Sequence, residues 1–227
     1  MRGLGSNSGT SRRQTASSHH APPVSQNRQA GNRKKAAYRQ RVVGNTSGGS
    51  MFNAPELWHP PTESGNTRYI VQPPGEDYIH PVSVDEVRER LAQLPEQFAG
   101  TVEVVQFSRM TRKRSHFPCY GMQWGATVYL YPIEESLVET YTCPPKPAQL
   151  IEARMYGGTW APLSDGNWTL TWTRDSIKDF YLNNVLIHEV GHVNDERNTR
   201  SQDRERYANW FAIEYGFRHS RKKISAK

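Results

Sequence analysis

The sequence lacks acidic residues over its first 50 positions, and it has no long apolar run anywhere. Residues 1–50, called the leader below, contain nine Lys or Arg and no Asp or Glu, whereas residues 51–227 contain 20 basic and 22 acidic residues. The leader therefore carries +9 and the rest −2, which together make the net charge of +7. No apolar stretch is long enough for a signal-peptide core or a membrane span, so we expect a cytoplasmic protein without membrane association.

The leader also lacks clustered apolar residues and is rich in Ser, Gly, Asn, Gln and Arg. Such a segment cannot bury enough surface to offset the entropy of ordering, which predicts a disordered basic leader over residues 1–50. A solvated tail is the simplest interpretation. The alternative is weak contact with nucleic acid or an acidic partner, which would bind the clustered positive charge. His19 and His20 are interpreted as incidental rather than as metal ligands.

Cysteine is scarce, since the chain has only Cys119 and Cys143, and they do not form a C-x-x-C pair. Without a secretory signal, both are expected to be reduced thiols. Two widely separated cysteines offer little support for a cysteine cluster that binds metal or for a thiol nucleophile. The chemistry of the chain must be sought among its histidines and carboxylates.

Helical and strand patterns alternate beyond the leader, which predicts an α+β fold with a mixed or antiparallel sheet ahead of two C-terminal helices. Ser83 and Glu86 form a capping-box pattern that opens a first helix ending before Pro95. Alternating or β-branched runs predict strands, and turn residues predict a hairpin. These segments are strands at 101–108 and 126–132, hairpin arms at 150–156 and 167–173, a helix from Asp175 or Ser176 to Asn194, and a helix from after Ser201 to before Gly216.

Residues 188–192 read HEVGH, inside the first of these two helices. Two His residues four positions apart project from the same face of a helix, so both imidazoles can reach one Zn²⁺ ion. Glu189 lies about 100° further round the helix, beside the metal position, where its carboxylate can take a proton from a zinc-bound water. Gly191 weakens a helix by about 1 kcal/mol relative to Ala, which indicates a close neighbour at that position.

A catalytic zinc site needs a third protein ligand, and the last helix offers Glu205. Glu205 and Asn209 are four residues apart, and the small residues Ala208 and Ala212 share their face, which favours close approach to another helix. Glu205 is ranked first as the third ligand and Asp195 second, because Asp195 shares the face of His188. The oxyanion-stabilising group stays open among Tyr156, Tyr181, Tyr215 and Arg206.

HEVGH followed by E-x-x-A-N-x-F-A resembles the gluzincin type of zincin metallopeptidases over roughly residues 180–215. The resemblance implies a zincin-like fold for residues 51–218, with a basic tail at 219–227. It implies one catalytic Zn²⁺ held by His188, His192 and Glu205, and makes Asn209 the residue that orients a metal-bound His. It also implies an edge strand that pairs with an extended peptide substrate, for which residues 126–132 are the candidate.

The predicted function is therefore zinc-dependent hydrolysis of peptide bonds, with Glu189 as the general base and a peptide or protein as substrate. The alternative is a zinc-binding domain without activity that binds a partner or nucleic acid. The Glu between the two His residues favours the enzyme, because a structural zinc site has no need of a general base. The basic leader favours the alternative slightly.

Overall fold

The computed structural model describes residues 17–20, 55–60, 66–112, 114 and 119–225 of the chain. Ten strands of two to six residues lie in these ranges, together with seven α-helices of at least four residues. The strands are β1 Ser17–His20, β2 Arg68–Val71, β3 Tyr78–Ile79, β4 Val104–Phe107, β5 Cys119–Trp124, β6 Thr127–Leu130, β7 Ile133–Glu134, β8 Val138–Tyr141, β9 Thr159–Pro162 and β10 Trp168–Thr171. The helices are α1 Val84–Leu91, α2 Glu96–Ala99, α3 Pro147–Met155, α4 Arg174–Phe180, α5 Leu186–Val193, α6 Ser201–Phe211 and α7 Arg218–Ser225.

The main sheet has five strands in the order β1-β5-β6-β4-β2. The β2–β4 and β4–β6 pairs are parallel, whereas β5–β6 and β1–β5 are antiparallel, so the sheet is mixed. Smaller sheets join β8, β10 and β9, and β3 with β7. Together with the helices, this arrangement confirms the predicted α+β class.

The strand at residues 126–132 is present as β6, but it is not an edge strand, so that prediction was wrong. β6 lies between β4 and β5, and all four of its residues are buried. The neighbouring β5 lies further out, and among the described residues its outer side pairs with the short β1 alone. Strand order depends on long-range pairing that a single strand's alternating pattern does not encode.

The leader contains one described segment, Ser17–His20, and this segment is a strand that the sequence did not predict. β1 pairs antiparallel with β5, with Ser17 opposite Gln123 and His19 opposite Gly121. The rest of the leader lies outside the described residues, so its predicted disorder stays a prediction.

The predicted hairpin is correct in its second arm and wrong in its first. Residues 150–156 fall largely within α3, which begins with Pro147 at a position where the missing N–H costs nothing. The first arm is β9, which starts after the two glycines at 157–158 and pairs antiparallel with β10. A short segment with mixed apolar pattern does not distinguish a helix from a strand, and the preceding proline decided for the helix.

The capping box at the start of α1 is confirmed. Glu86 N donates to Ser83 Oγ at 3.2 Å, and Ser83 N donates to Glu86 Oε2 at 2.8 Å. The helix predicted to begin at Asp175 or Ser176 begins at Arg174, and Thr173 caps it, with Ser176 N donating to Thr173 Oγ1 at 3.1 Å. Thr173 and Ser176 form a second reciprocal box, a variant in which a serine hydroxyl replaces the usual Glu side chain.

Both C-terminal helices continue through a π-helical segment. Residues 174–193 comprise α4, the π segment Tyr181–Val185 and α5, and residues 201–225 comprise α6, the π segment Ala212–Phe217 and α7. The prediction that the last helix ends before Gly216 was therefore wrong. A Cβ atom at residue 216 would lie 1.9 Å from the carbonyl oxygen of Asn183, so the glycine permits contact between the two helices. Most of the residues predicted as a basic tail belong to α7.

The main core lies between the sheet and these two helices. Its fully buried members include Val105, Val128, Leu186, Val190 and Phe211. Leu186 and Val190 recur at helical spacing, so one side of α5 packs against this core. Within the ranges that the structure describes, no helix is both long and apolar enough to cross a membrane.

Candidate metal centre

The HEVGH residues lie on α5, where both histidines are almost completely buried. His188 and His192 are one helical turn apart, and their Nε2 atoms are 3.0 Å apart. Their rings meet edge to face, with ring centres 4.7 Å apart. The helical repeat therefore brings two equivalent nitrogen atoms to one point, as the spacing predicts.

Glu205 approaches the same point from α6. Its Oε2 atom is 3.5 Å from His188 Nε2, and its Oε1 atom is 3.6 Å from His192 Nε2. The Glu205 side chain keeps 36% of its surface exposed, whereas the His188 side chain keeps 1%. The centre is therefore closed on the side of α5 and accessible beside Glu205.

Glu205 can reach the histidines because α5 and α6 pack closely. A Cβ atom at Gly191 would lie 3.1 Å from the Cα atom of Ala208 and 3.0 Å from the Cβ atom of Phe211. The close neighbour expected at Gly191 is thus confirmed, and the small residue Ala208 is part of it. A larger side chain at either position would separate the carboxylate from the imidazoles.

Two opposing effects act on the Glu205 carboxyl group. Burial raises its pKa, but the hydrogen bonds and positive charges of His188 and His192 lower it, and their combined effect is larger. The pKa of Glu205 is held well below its ordinary value. Glu205 is therefore a carboxylate across the physiological pH range, which is the form that binds a metal.

The three side chains form a donor set of two imidazole nitrogens and one carboxylate oxygen, with one ligand atom from each residue within 4.8 Å of the others. In the described part of the chain this is the sole group of three or more such side chains that can hold a metal ion. Zinc bonds of about 2.0–2.2 Å at tetrahedral angles place neighbouring ligand atoms roughly 3.3–3.6 Å apart. The separations of 3.0, 3.5 and 3.6 Å lie near this range, so the residues fit a zinc ion.

Glu189 is fully buried and lies between α5 and the outer strand β5. A Cβ atom at Gly121 of β5 would be 3.0 Å from both Cγ and Oε1 of Glu189, and 2.7 Å from Cγ1 of Val185. The absence of a side chain at Gly121 therefore makes room for the Glu189 carboxylate. Sequence reasoning missed Gly121, because a glycine inside a strand can signal either a bulge or a close approach, and the pattern does not say to what.

Arg204, next to Glu205, connects three elements around the centre. Its Nη2 atom donates to Gln123 Oε1 on β5 and to the carbonyl oxygen of His192, at 3.2 Å in each case. The guanidinium thereby holds the start of α6 against the end of α5 and the outer strand. The sequence contained no signal for this contact beyond the position of Arg204 beside a proposed ligand.

The alternative ligand, Asp195, does not belong to the cluster. Both of its carboxylate oxygens accept hydrogen bonds from Asn198, at 3.0 to 3.2 Å, so it stabilises the loop after α5. The predicted role of Asn209 is also not supported. Asn209 is exposed on α6, and its side chain makes no hydrogen bond to any residue that the structure describes. This is a departure from the arrangement that the resemblance implied.

The candidates for oxyanion stabilisation are engaged elsewhere. The hydroxyl groups of Tyr156 and Tyr181 donate to the carbonyl oxygens of Asn183 and Tyr131, at 3.0 and 2.8 Å. Arg206 is exposed and pairs with Asp203 at 3.2 Å. Tyr215 packs in an aromatic cluster with Phe98 and Phe211.

The two cysteines are free, as predicted, and neither is a ligand of the centre. Burial raises the pKa of the Cys119 thiol to about 12, although Arg114 opposes this shift. A thiol with so high a pKa is protonated at neutral pH and is a poor nucleophile.

Comparisons with known proteins do not assign the chain to a family. A scan against protein-family models, a search of the curated proteins and a search of the solved structures found no match.

Proposed function

We propose that this protein is a zinc-dependent metallopeptidase of the gluzincin type, in which Glu189 is the general base. One observation carries the proposal: His188, His192 and Glu205 converge within metal-binding distance, while the buried Glu189 lies beside them against the outer strand of the sheet. A metal ligand set with a further carboxylate at its side is the combination that metal-assisted hydrolysis requires.

The ligands that would hold zinc are His188 Nε2, His192 Nε2 and a carboxylate oxygen of Glu205. Three protein ligands leave one coordination position for water or substrate, which is typical of catalytic rather than structural zinc sites. A bound zinc ion would supply Lewis-acid polarisation of the scissile carbonyl and make the attacking water more acidic. The partial exposure of Glu205 leaves an approach to that position.

Glu189 would move the proton. Its carboxylate packs against Gly121 of β5 and directly follows the ligand His188 on the same helix, which places it beside the position that a metal-bound water would take. The carboxylate takes a proton from the attacking water and can return it to the leaving amine nitrogen. A fixed acid–base group contributes about a hundredfold to ten-thousandfold to the rate.

The outer strand favours a peptide as the substrate class. β5 passes directly beside Glu189, and in the described part of the chain the edge that it turns away from β6 is covered by the four-residue β1 alone. An extended peptide can add to such an edge as a further strand, with backbone hydrogen bonds that do not depend on its sequence. This pairing would place a peptide bond next to the general base.

The experiment is metal analysis of the purified protein together with a broad peptide-cleavage screen. Glu189→Gln should lower kcat/KM by about a hundredfold to ten-thousandfold while zinc stays bound, because the amide keeps the size of the side chain but cannot accept the proton. Glu196→Gln is the matched control, since Glu196 is exposed and lies outside the cluster. It should leave both zinc content and cleavage unchanged.

Equal cleavage by the wild-type protein and the Glu189→Gln variant would disprove the mechanism. Stoichiometric zinc with no cleavage of any peptide would instead support the zinc-binding domain without activity.

A further inference from the structure

The strand beside the metal centre has only one edge at which a peptide can add, and the leader lies on it. β5 pairs with β6 on its inner side and with β1 on its outer side. Ser17, Ser18 and His19 of the leader are opposite Gln123, Met122 and Gly121 of β5. The pairing is antiparallel, so the outward backbone groups of β5 form hydrogen bonds with a segment of the same chain.

β1 is also close to the proposed general base. The residue opposite His19 is Gly121, whose Cα atom carries no side chain and faces Oε1 and Cγ of Glu189. β1 additionally contacts α5 and α6, the two helices that carry the metal ligands. The backbone of β1 thus lies where β5, α5 and α6 meet.

We propose that the leader inhibits the protein by occupying, through Ser17–His20, the strand position that a peptide substrate needs. This inference rests on the proposed function for its consequence, but the occupancy itself can be tested without catalysis. β1 and an extended peptide require the same N–H and C=O groups of β5, so they cannot be bound together.

The occupancy is suited to regulation because it is weak and local. β1 has only four residues, and its register shifts between His19 and His20, which leaves fewer regular ladder bonds. Covalent attachment compensates for this weakness, because a segment of the same chain binds at an effective concentration that an unattached peptide has to exceed. A longer peptide or a partner that captures the basic leader can displace it.

The test uses the full chain carrying Glu189→Gln, so that bound peptide is not hydrolysed. Ser18→Pro and His19→Pro are introduced together into this background. Successive residues of a strand direct their N–H groups to opposite sides, so one of the two prolines must remove a group that faces β5. Asn7→Pro with Ser8→Pro is the matched control, two adjacent prolines in the same leader outside β1.

The main readout is the binding of a fluorescent synthetic peptide with the sequence of residues 12–25, measured by anisotropy. Disruption of β1 should lower the Kd by about tenfold or more. The apparent affinity of a site is its intrinsic affinity multiplied by the fraction of molecules in which the site is open, and this fraction rises when β1 is removed. The control variant should bind like the parent. A scrambled peptide with the same composition reports binding that depends on charge alone.

A second readout is hydrogen exchange of the amides at 119–124, which does not depend on any added peptide. These amides should exchange faster in the Ser18→Pro, His19→Pro chain and at the parent rate in the control. Circular dichroism checks that the variants are folded. Unchanged exchange together with unchanged peptide affinity would show that the leader does not occupy β5, and the proposal would be wrong.

The outcomes separate this inference from the proposed function. If peptide affinity rises but no chain with Glu189 cleaves any peptide, the leader still blocks the strand and the peptidase assignment alone fails. If chains with Glu189 cleave peptides equally well with and without an intact β1, the peptidase stands and inhibition by the leader is refuted.

Discussion

Burial acts on two carboxyl groups of this protein, Glu205 and Glu139, but their pKa values shift in opposite directions. Glu205 faces two imidazoles, and their hydrogen bonds and positive charge outweigh burial, so its pKa falls well below the ordinary value. Glu139 is buried, and burial raises its pKa to about 7 although Tyr120 and Trp172 donate hydrogen bonds to it. Neutral donors cannot replace the lost hydration of a carboxylate, whereas groups that carry positive charge can.

The two regions are adjacent in the fold. Tyr120 Oη donates to Glu139 Oε2 at 2.7 Å, and the next residue of β5 is Gly121, which lies against Glu189. One strand therefore contacts a carboxyl group that is half protonated near neutral pH and a second carboxyl group beside the metal centre. Glu139 is thus a buried group of the protein core, whereas Glu205 is part of the candidate metal centre.

The largest effect is expected at Glu205. Glu205→Ala removes a direct ligand and should weaken zinc binding by more than about a hundredfold, which exceeds the typical effect of changing an indirectly supporting residue. Asp195→Ala and Asn209→Ala should each change it by less than about tenfold, because neither side chain contacts the cluster. Competition with chelators of graded affinity measures the loss, and circular dichroism checks folding.

A site emptied by Asp195→Ala but not by Glu205→Ala would contradict this order. The third ligand would then lie just after α5, and the gluzincin assignment would be wrong.

The next effect concerns the pH dependence of stability at Glu139. Its folded pKa of about 7 lies above the ordinary value of 4.5, so the carboxyl group stabilises the fold fully below pH 4.5 and progressively less as the pH rises toward 7. The loss over this window is at most about 3.5 kcal/mol, at about 1.4 kcal/mol for each pKa unit. Glu139→Gln should remove this slope and be more stable than the wild type at neutral pH.

Urea unfolding at several pH values measures this difference. Glu135→Gln is the control, since Glu135 is exposed and should leave the pH profile unchanged. Identical profiles for the wild-type protein and Glu139→Gln would show that Glu139 is ionised in the fold and that the comparison with Glu205 fails.

The smallest effects are expected from two glycines that adjust the spacing around the centre. Gly121→Ala places a methyl group 2.7 Å from Val185 and 3.0 Å from the Glu189 side chain, which should cost about 1–3 kcal/mol of stability. It should lower kcat more than zinc affinity. Gly191→Ala separates α5 from α6 and moves Glu205 away from the histidines, so it should lower zinc affinity more than kcat.

Thermal unfolding, zinc titration and cleavage assays on both variants distinguish these outcomes. If both glycine variants change zinc affinity equally, Gly121 supports the metal ligands and not the base.

The local features of the fold were predictable from the sequence. The spacing of His188 and His192 follows from the helical repeat, and the capping box of α1 follows from Ser83 and Glu86. Gly191 correctly indicated a close neighbour, since a glycine inside a helix needs such a reason. The groups of the first two features lie within one helical turn, whereas Gly191 indicated that a neighbour exists without identifying it as Ala208 and Phe211.

Features that join distant segments were not predictable in the same way. The candidate substrate strand predicted at 126–132 pairs with β4 and β5 and is buried, and β5, with only β1 outside it in the described sheet, lies nearer the edge. The predicted end of the last helix before Gly216 was also wrong, because Gly216 packs against the carbonyl group of Asn183 on the other C-terminal helix and the helix continues beyond it.

The sequence by itself determined two imidazoles on one helix face with a carboxylate beside them, because the period of the α-helix is a local property of the backbone. The tertiary structure alone decided that Glu205 meets those imidazoles, that Gly121 makes room for Glu189, and that Ser17–His20 covers the strand next to it. These contacts join segments 13 to more than 100 positions apart in the chain. Their formation depends on which surfaces the whole core buries, and no short pattern of residues contains that information.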